Sequence, residues 1–158
     1  MSTSTARALS LAIAVAVWTT ISHVGKLPLQ LWPVIIGLAC FLAAGGGLTG
    51  FTKAVLGTAS GVAWAILYIT VSGALGRQSV VDAVVLGAAT FGMVSQARLP
   101  LLTFTPGAIA GVAVSLGVMG TRTVTLEGGI RVVVALLIGA AIGYGAEYIA
   151  ALMKTRNA

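Results

Sequence analysis

The sequence predicts an all-α polytopic membrane protein. Six transmembrane helices form two inverted three-helix repeats, and helices 2 and 5 are interrupted by proline or glycine. Three observations predict this fold. Hydrophobic residues make up 58% of the 158-residue chain and charged residues 8%, with a mean hydropathy of +1.07. A soluble domain carries about 25% charged residues, so the surrounding solvent must be lipid. Second, the nine Lys and Arg stand singly, at 7, 26, 53, 77, 98, 122, 131, 154 and 156, and bound long uncharged spans. Third, one stretch occurs twice. In Pro33–Gly47 and Pro106–Gly120, Gly37, Ala39, Leu42 and Gly46 recur as Gly111, Ala113, Leu116 and Gly120, 74 residues later.

Helix 1 is expected over about 6–23. Arg7 before an apolar run mimics a signal peptide, but no small-residue cleavage site with a polar mature domain follows. Trp18 and His23 near its exit suit the membrane interface. Gly25–Pro28 makes the first turn, and helix 2 follows over about 30–46, ending in Gly45, Gly46 and Gly47. Helix 3 is expected over about 52–74, after a loop carrying Lys53. Gly57 and Gly61 give it a smooth packing face, and Trp64 and Tyr68 share one face that packs in the core or against lipid.

Helix 4 is expected over about 79–97, with Asp82 complementing the positive end of its dipole. Helix 5 spans about 101–120, with a kink at Pro106, which lacks the N–H that a helix interior needs. Thr121–Thr123 opens the last loop. Helix 6 runs over about 127–150, with an i,i+4 ion pair between Glu127 and Arg131 and a second smooth face at Gly139 and Gly143. Glu147 and Lys154 close it, and a polar tail from Thr155 to Ala158 follows. The chain is one membrane domain, residues 1–158, with repeat A at about 6–75 and repeat B at about 79–150. Three helices per repeat invert the second relative to the first. Six spans put both termini on one side, cytoplasmic by five cations against four.

Several chemistries are excluded. Cys40 is the only cysteine, so there is no disulfide, CxxC pair or cysteine-built zinc site. His23 is the only histidine, and Asp82, Glu127 and Glu147 are the only acids, which leaves no catalytic triad and no metal-ligand set. No P-loop, dinucleotide fingerprint or HExxH occurs. The scattered cations do not form a nucleic-acid patch. We therefore expect no enzyme activity, cofactor or metal. The expected partners are the bilayer, a small polar solute and further copies of the chain.

The candidate solute path comprises Cys40, Phe41, Gly45, Gly46, Thr90, Phe91, Ser95, Pro106, Ser115 and Gly120, with Phe41 and Phe91 as a constriction. Small hydroxyls and backbone carbonyls suit a small neutral or weakly cationic solute. The glycine faces at Gly57/Gly61 and Gly139/Gly143 are expected to mediate homo-oligomerisation.

The segments "ACFLAAGGG", "GTASGVAW" and "LLTFTPGAIAGVAVSLG" resemble the YcdZ-type bacterial inner-membrane family, domain of unknown function 1097. That resemblance implies a small multi-pass protein of the bacterial inner membrane and carries over no functional residue. Two function classes follow: a channel or facilitator for a small, mostly neutral polar solute, or a non-transporting subunit docked in a larger complex.

Overall fold

The computed structural model describes residues 3–26, 30–120 and 125–155. Among them are six α-helices and no strand: α1 (Thr3–Val24), α2 (Leu31–Ala43), α3 (Gly47–Ala74), α4 (Ser79–Ser95), α5 (Thr105–Met119) and α6 (Leu126–Thr155). A single 3-10 turn, Gln96–Arg98, prolongs α4. The expected loop at Thr121–Thr123, Pro28 of the first turn and tail residues 156–158 lie outside the described residues.

Four segments are long and apolar enough to cross a membrane: Thr5–Val24, Gly47–Ala74, Ser79–Arg98 and Leu126–Leu152. Helices α2 and α5 have only 13 and 15 residues. At about 1.5 Å per residue they reach some 20 Å, short of the roughly 30 Å of hydrocarbon.

Three expected boundaries move. Helix α3 begins at Gly47, not near residue 52, so Lys53 lies within it rather than in a loop. Helix α2 is closed by a Schellman motif, in which Gly46 N donates to Phe41 O (3.2 Å) and Gly45 N to Leu42 O (3.1 Å). The chain therefore reverses within three residues and α3 starts at once. Gly46 adopts φ 72° and ψ −171°, a region essentially restricted to glycine. Helix α5 begins at Thr105 rather than 101, with Pro106 in its first turn. Proline starts this helix instead of kinking it, because the first-turn N–H groups have no intrahelical partner anyway.

Helices α3 and α6 run antiparallel through the centre, with Val62 and Ile66 near Gly129 toward one end and the Phe51 ring tilted against that of Tyr144 toward the other. The most extensive packing joins α2 to α6 and α5 to α3. Gly139 and Gly143 of α6 meet Val34 and Phe41 of α2; Gly57 and Gly61 of α3 meet Phe104 and Ala108 beside α5. Each short helix thus runs parallel to the long helix it packs on. Lipid tails are as apolar as leucine, so helices associate here through close approach rather than hydrophobic burial. The glycines make that approach possible.

Helix α1 packs on α6, and α4 on α3. Trp18 lines a small apolar cavity with Val15, Leu31, Val34, Leu38 and Ile142, and its buried Nε1 has no hydrogen-bond partner among the described residues.

Candidate functional site

Two glycine crossings position everything else. A Cβ on Gly61 would overlap the Ala108 carbonyl oxygen, and one on Gly139 would overlap that of Val34. Reciprocally, a Cβ on Gly111 would strike the Thr58 carbonyl, and one on Gly37 that of Leu136. The registers match. Val34 and Ala108 are 74 residues apart, as are Gly37 and Gly111; Gly61 and Gly139 are 78 apart, as are Thr58 and Leu136. Gly46 and Gly120, also 74 apart, share a backbone geometry: φ 72° at both, with ψ −171° and −177°.

Val34 and Ala108 are each the fourth residue of a short helix, whereas Gly61 and Gly139 lie at the middle of long ones. Helices α2 and α5 therefore start about one turn from the mid-height of the bundle and run to opposite ends. At the start of α5, Thr105 N donates to Thr103 O (3.1 Å) and Gly107 N to Phe104 O (3.1 Å), and Pro106 between them has no N–H.

A side-chain network stands beside the start of α5. Trp64 Nε1 donates to Gln96 Oε1 (2.9 Å), Gln96 Nε2 to Ser60 Oγ (3.0 Å), and Ser60 Oγ to the Gly57 carbonyl (2.7 Å). The Trp64 ring covers Gly92 of α4. At the start of α2, Trp32 Nε1 donates to Gln30 Oε1 (2.7 Å) and its ring covers Gly117 of α5. Trp64, expected to pack in the core or against lipid, is partly buried; Gln96 was missed, because a glutamine near a helix end reads as an interfacial residue.

The expected path residues divide. Cys40 and Phe41 are buried together against Ala54 and Ala140. Ser115 is fully buried, but its hydroxyl donates to the Gly111 carbonyl of its own helix (2.7 Å). Ser95 is half-buried at the end of α4, next to Gln96. Gly46 is buried, whereas Gly45, Pro106 and Gly120 are exposed. Thr90 is exposed and donates to Leu86 O (2.9 Å). Phe91 is 75% exposed on the outer face of α4 while Phe41 is 0% exposed in the core. The expected constriction between Phe41 and Phe91 is therefore not formed within the protomer. Two residues from both Ala89 and Met93, about 200° around the helix, Phe91 lies on the side of α4 away from these buried residues.

The helix-packing glycines are also reassigned. Gly57, Gly61, Gly139 and Gly143 are buried against α2, α5 and the segment leading into α5, so these faces are occupied inside the chain and do not face a second copy. The Glu127–Arg131 pair forms as expected, at 2.5 Å across one helical turn and largely exposed.

A second polar cluster was not legible. Glu147 of α6 forms an ion pair with Arg7 of α1, and its other oxygen accepts from Gly47 N (2.7 Å) at the start of α3. Asp82, in the first turn of α4, accepts from Ser72 of α3. Among the described residues no group of His, Cys, Asp and Glu is arranged to hold a metal ion.

The model of a family described as "Protein of unknown function (DUF1097)" matches residues 8–151. "Uncharacterized protein YahC" of Escherichia coli (strain K12) is 30% identical over 155 residues, covering 91% of this chain and 88% of the relative. No solved structure matches. The matched span takes in all six helices, including both short ones and their glycine ends, and the chain belongs to the DUF1097 family.

Proposed function

We propose that the protein is a membrane-embedded channel or facilitator for a small, mostly neutral polar solute, built as two inverted three-helix repeats. One observation carries this reading: two half-length helices start near mid-height, each held by a glycine crossing of the same register. Broken helices whose ends face the midplane between inverted repeats are a recurring way to build a solute site. Gln96 and Ser60, joined by a hydrogen bond between α4 and α3, supply polar side chains that suit a hydrogen-bonding solute. Neutrality follows from charge placement. Glu127 and Glu147 stand twenty residues apart on α6, about 30 Å, the thickness of the hydrocarbon, and no charged residue lies between Arg131 and Glu147. An ion crossing that interval would meet no compensating charge on α6.

The bacterial inner membrane, with both ends of the chain cytoplasmic, fits the distribution of Lys and Arg between the two ends. The chain self-associates in this reading. The test is uptake by proteoliposomes of urea, a short amide, ammonia and a short carboxylic acid. Uptake of one above protein-free vesicles supports the proposal, and uptake of none overturns it.

The complete burial of Phe41 and Ser115 favours a second reading, a non-transporting subunit of a larger membrane complex. Co-purification with unrelated chains in mild detergent, together with absent uptake, selects it.

A further inference from the structure

We propose that Glu147 is a positioning residue. With Arg7 it forms a latch that holds the glycine turn between α2 and α3 closed at one end of the bundle. Three elements converge on one carboxylate. One oxygen pairs with Arg7 of α1, and the other accepts from Gly47 N, the first residue of α3. The carboxylate also packs directly on Gly46, where a Cβ would come within 2.5 Å of Oε1. A carboxylate at a helix start is stabilised by the positive end of the helix dipole, and the Arg7 pair ties α1 to the same point. The Glu147 side chain is 21% exposed, which limits solvent screening.

Gly120 has the backbone geometry of Gly46, yet among the described residues a Cβ there would meet nothing within 4 Å. The position 78 residues before Glu147 is Ile69, which is 1% exposed. Released, the α2–α3 turn is free to lift, and the last turns of α2 move with it. Those turns carry Cys40, buried against Phe41, Ala54 and Ala140. As the only thiol in the chain, it is a built-in reporter.

The inference rests on the membrane reading above but not on transport. The experiment measures the rate at which N-ethylmaleimide labels Cys40 in the full chain in liposomes, for wild type, Glu147→Gln, Glu147→Leu and Arg7→Gln. Glu127→Gln, which breaks the exposed pair at the opposite end, is the control. The latch predicts at least a tenfold rise for the Glu147 and Arg7 variants and none for the control. If the Glu147 variants fail to fold, Arg7→Gln decides, since Arg7 is half-exposed. An unchanged rate in folded Arg7→Gln, or an equal rise in the control, overturns the latch. Faster labelling without solute uptake leaves the latch standing and removes the transport reading.

Discussion

Gly61 and Gly111 meet backbone to backbone: a Cβ on Gly61 would lie 2.9 Å from the Gly111 Cα, and one on Gly111 would lie 3.0 Å from the Gly61 Cα. The neighbours are main-chain atoms, so no side-chain rotation relieves the contact. Gly61→Ala should force α3 and α5 apart and cost about 1–3 kcal/mol, outweighing the gain of up to about 1 kcal/mol in helix propensity. Gly145→Ala on α6, where a Cβ would meet nothing within 4 Å, should be neutral or stabilising. Thermal unfolding in detergent compares the two. Equal midpoints would show that the crossing does not depend on glycine at 61.

Gly46 and Gly120 share a φ of 72° but differ in their surroundings. Alanine at either site should cost about 1–3 kcal/mol from the backbone alone. Gly46→Ala should cost more than Gly120→Ala, because its Cβ also displaces the Glu147 carboxylate. The excess should shrink in a Glu147→Ala background, as a double-mutant cycle measures. An excess unchanged in that background would mean that the carboxylate does not press on the turn.

How much of this was legible follows from which forces are local. The apolar spans and the Glu127–Arg131 pair depend on neighbouring residues, and the sequence shows them. The recurrence of Gly37, Leu42 and Gly46 as Gly111, Leu116 and Gly120 is likewise read directly from the sequence. What was not visible depends on distant partners. Glu147 reads as an ordinary helix-end carboxylate until α1 brings Arg7 and the glycine turn brings Gly47 against it. Phe91 reads as a pore residue until α4 is rotated so that Ala89 and Met93 face the core. The GxxxG faces announced close helix packing correctly. That pattern cannot say whether the partner is another copy or, as here, the short helices of the same chain.

Gln96 ties the end of α4 to α3 through Trp64 and Ser60. Gln96→Leu leaves the indole N–H of Trp64 without its acceptor in a half-buried site. The expected loss is about 1–2 kcal/mol, the range for interhelical hydrogen bonds in membranes. Ser60→Ala should cost less, since the Ser60 hydroxyl donates to its own helix at Gly57. Thermal unfolding ranks the pair, and Ser60→Ala equal to or worse than Gln96→Leu contradicts the assignment.

Self-association, if it occurs, must use surfaces that the protomer leaves open. Val80, Val84, Phe91 and Val94 project from α4 with exposures of 75%, 66%, 75% and 54%, at steps of four, seven and three that place them on one stripe. The inner glycines are already occupied: a side chain on Gly139 would overlap the Val34 carbonyl and stand 2.7 Å from Leu38 N. Gly139→Leu should therefore destabilise the protomer itself, by about 3 kcal/mol or more. Val84→Ala combined with Phe91→Ala should keep protomer stability within about 1 kcal/mol, as for surface changes, and lower the oligomer mass. Native mass spectrometry from mild detergent, read beside the unfolding midpoint, separates the two effects. A Gly139→Leu protein that stays folded and merely dissociates would return the interface to the glycine face of α6.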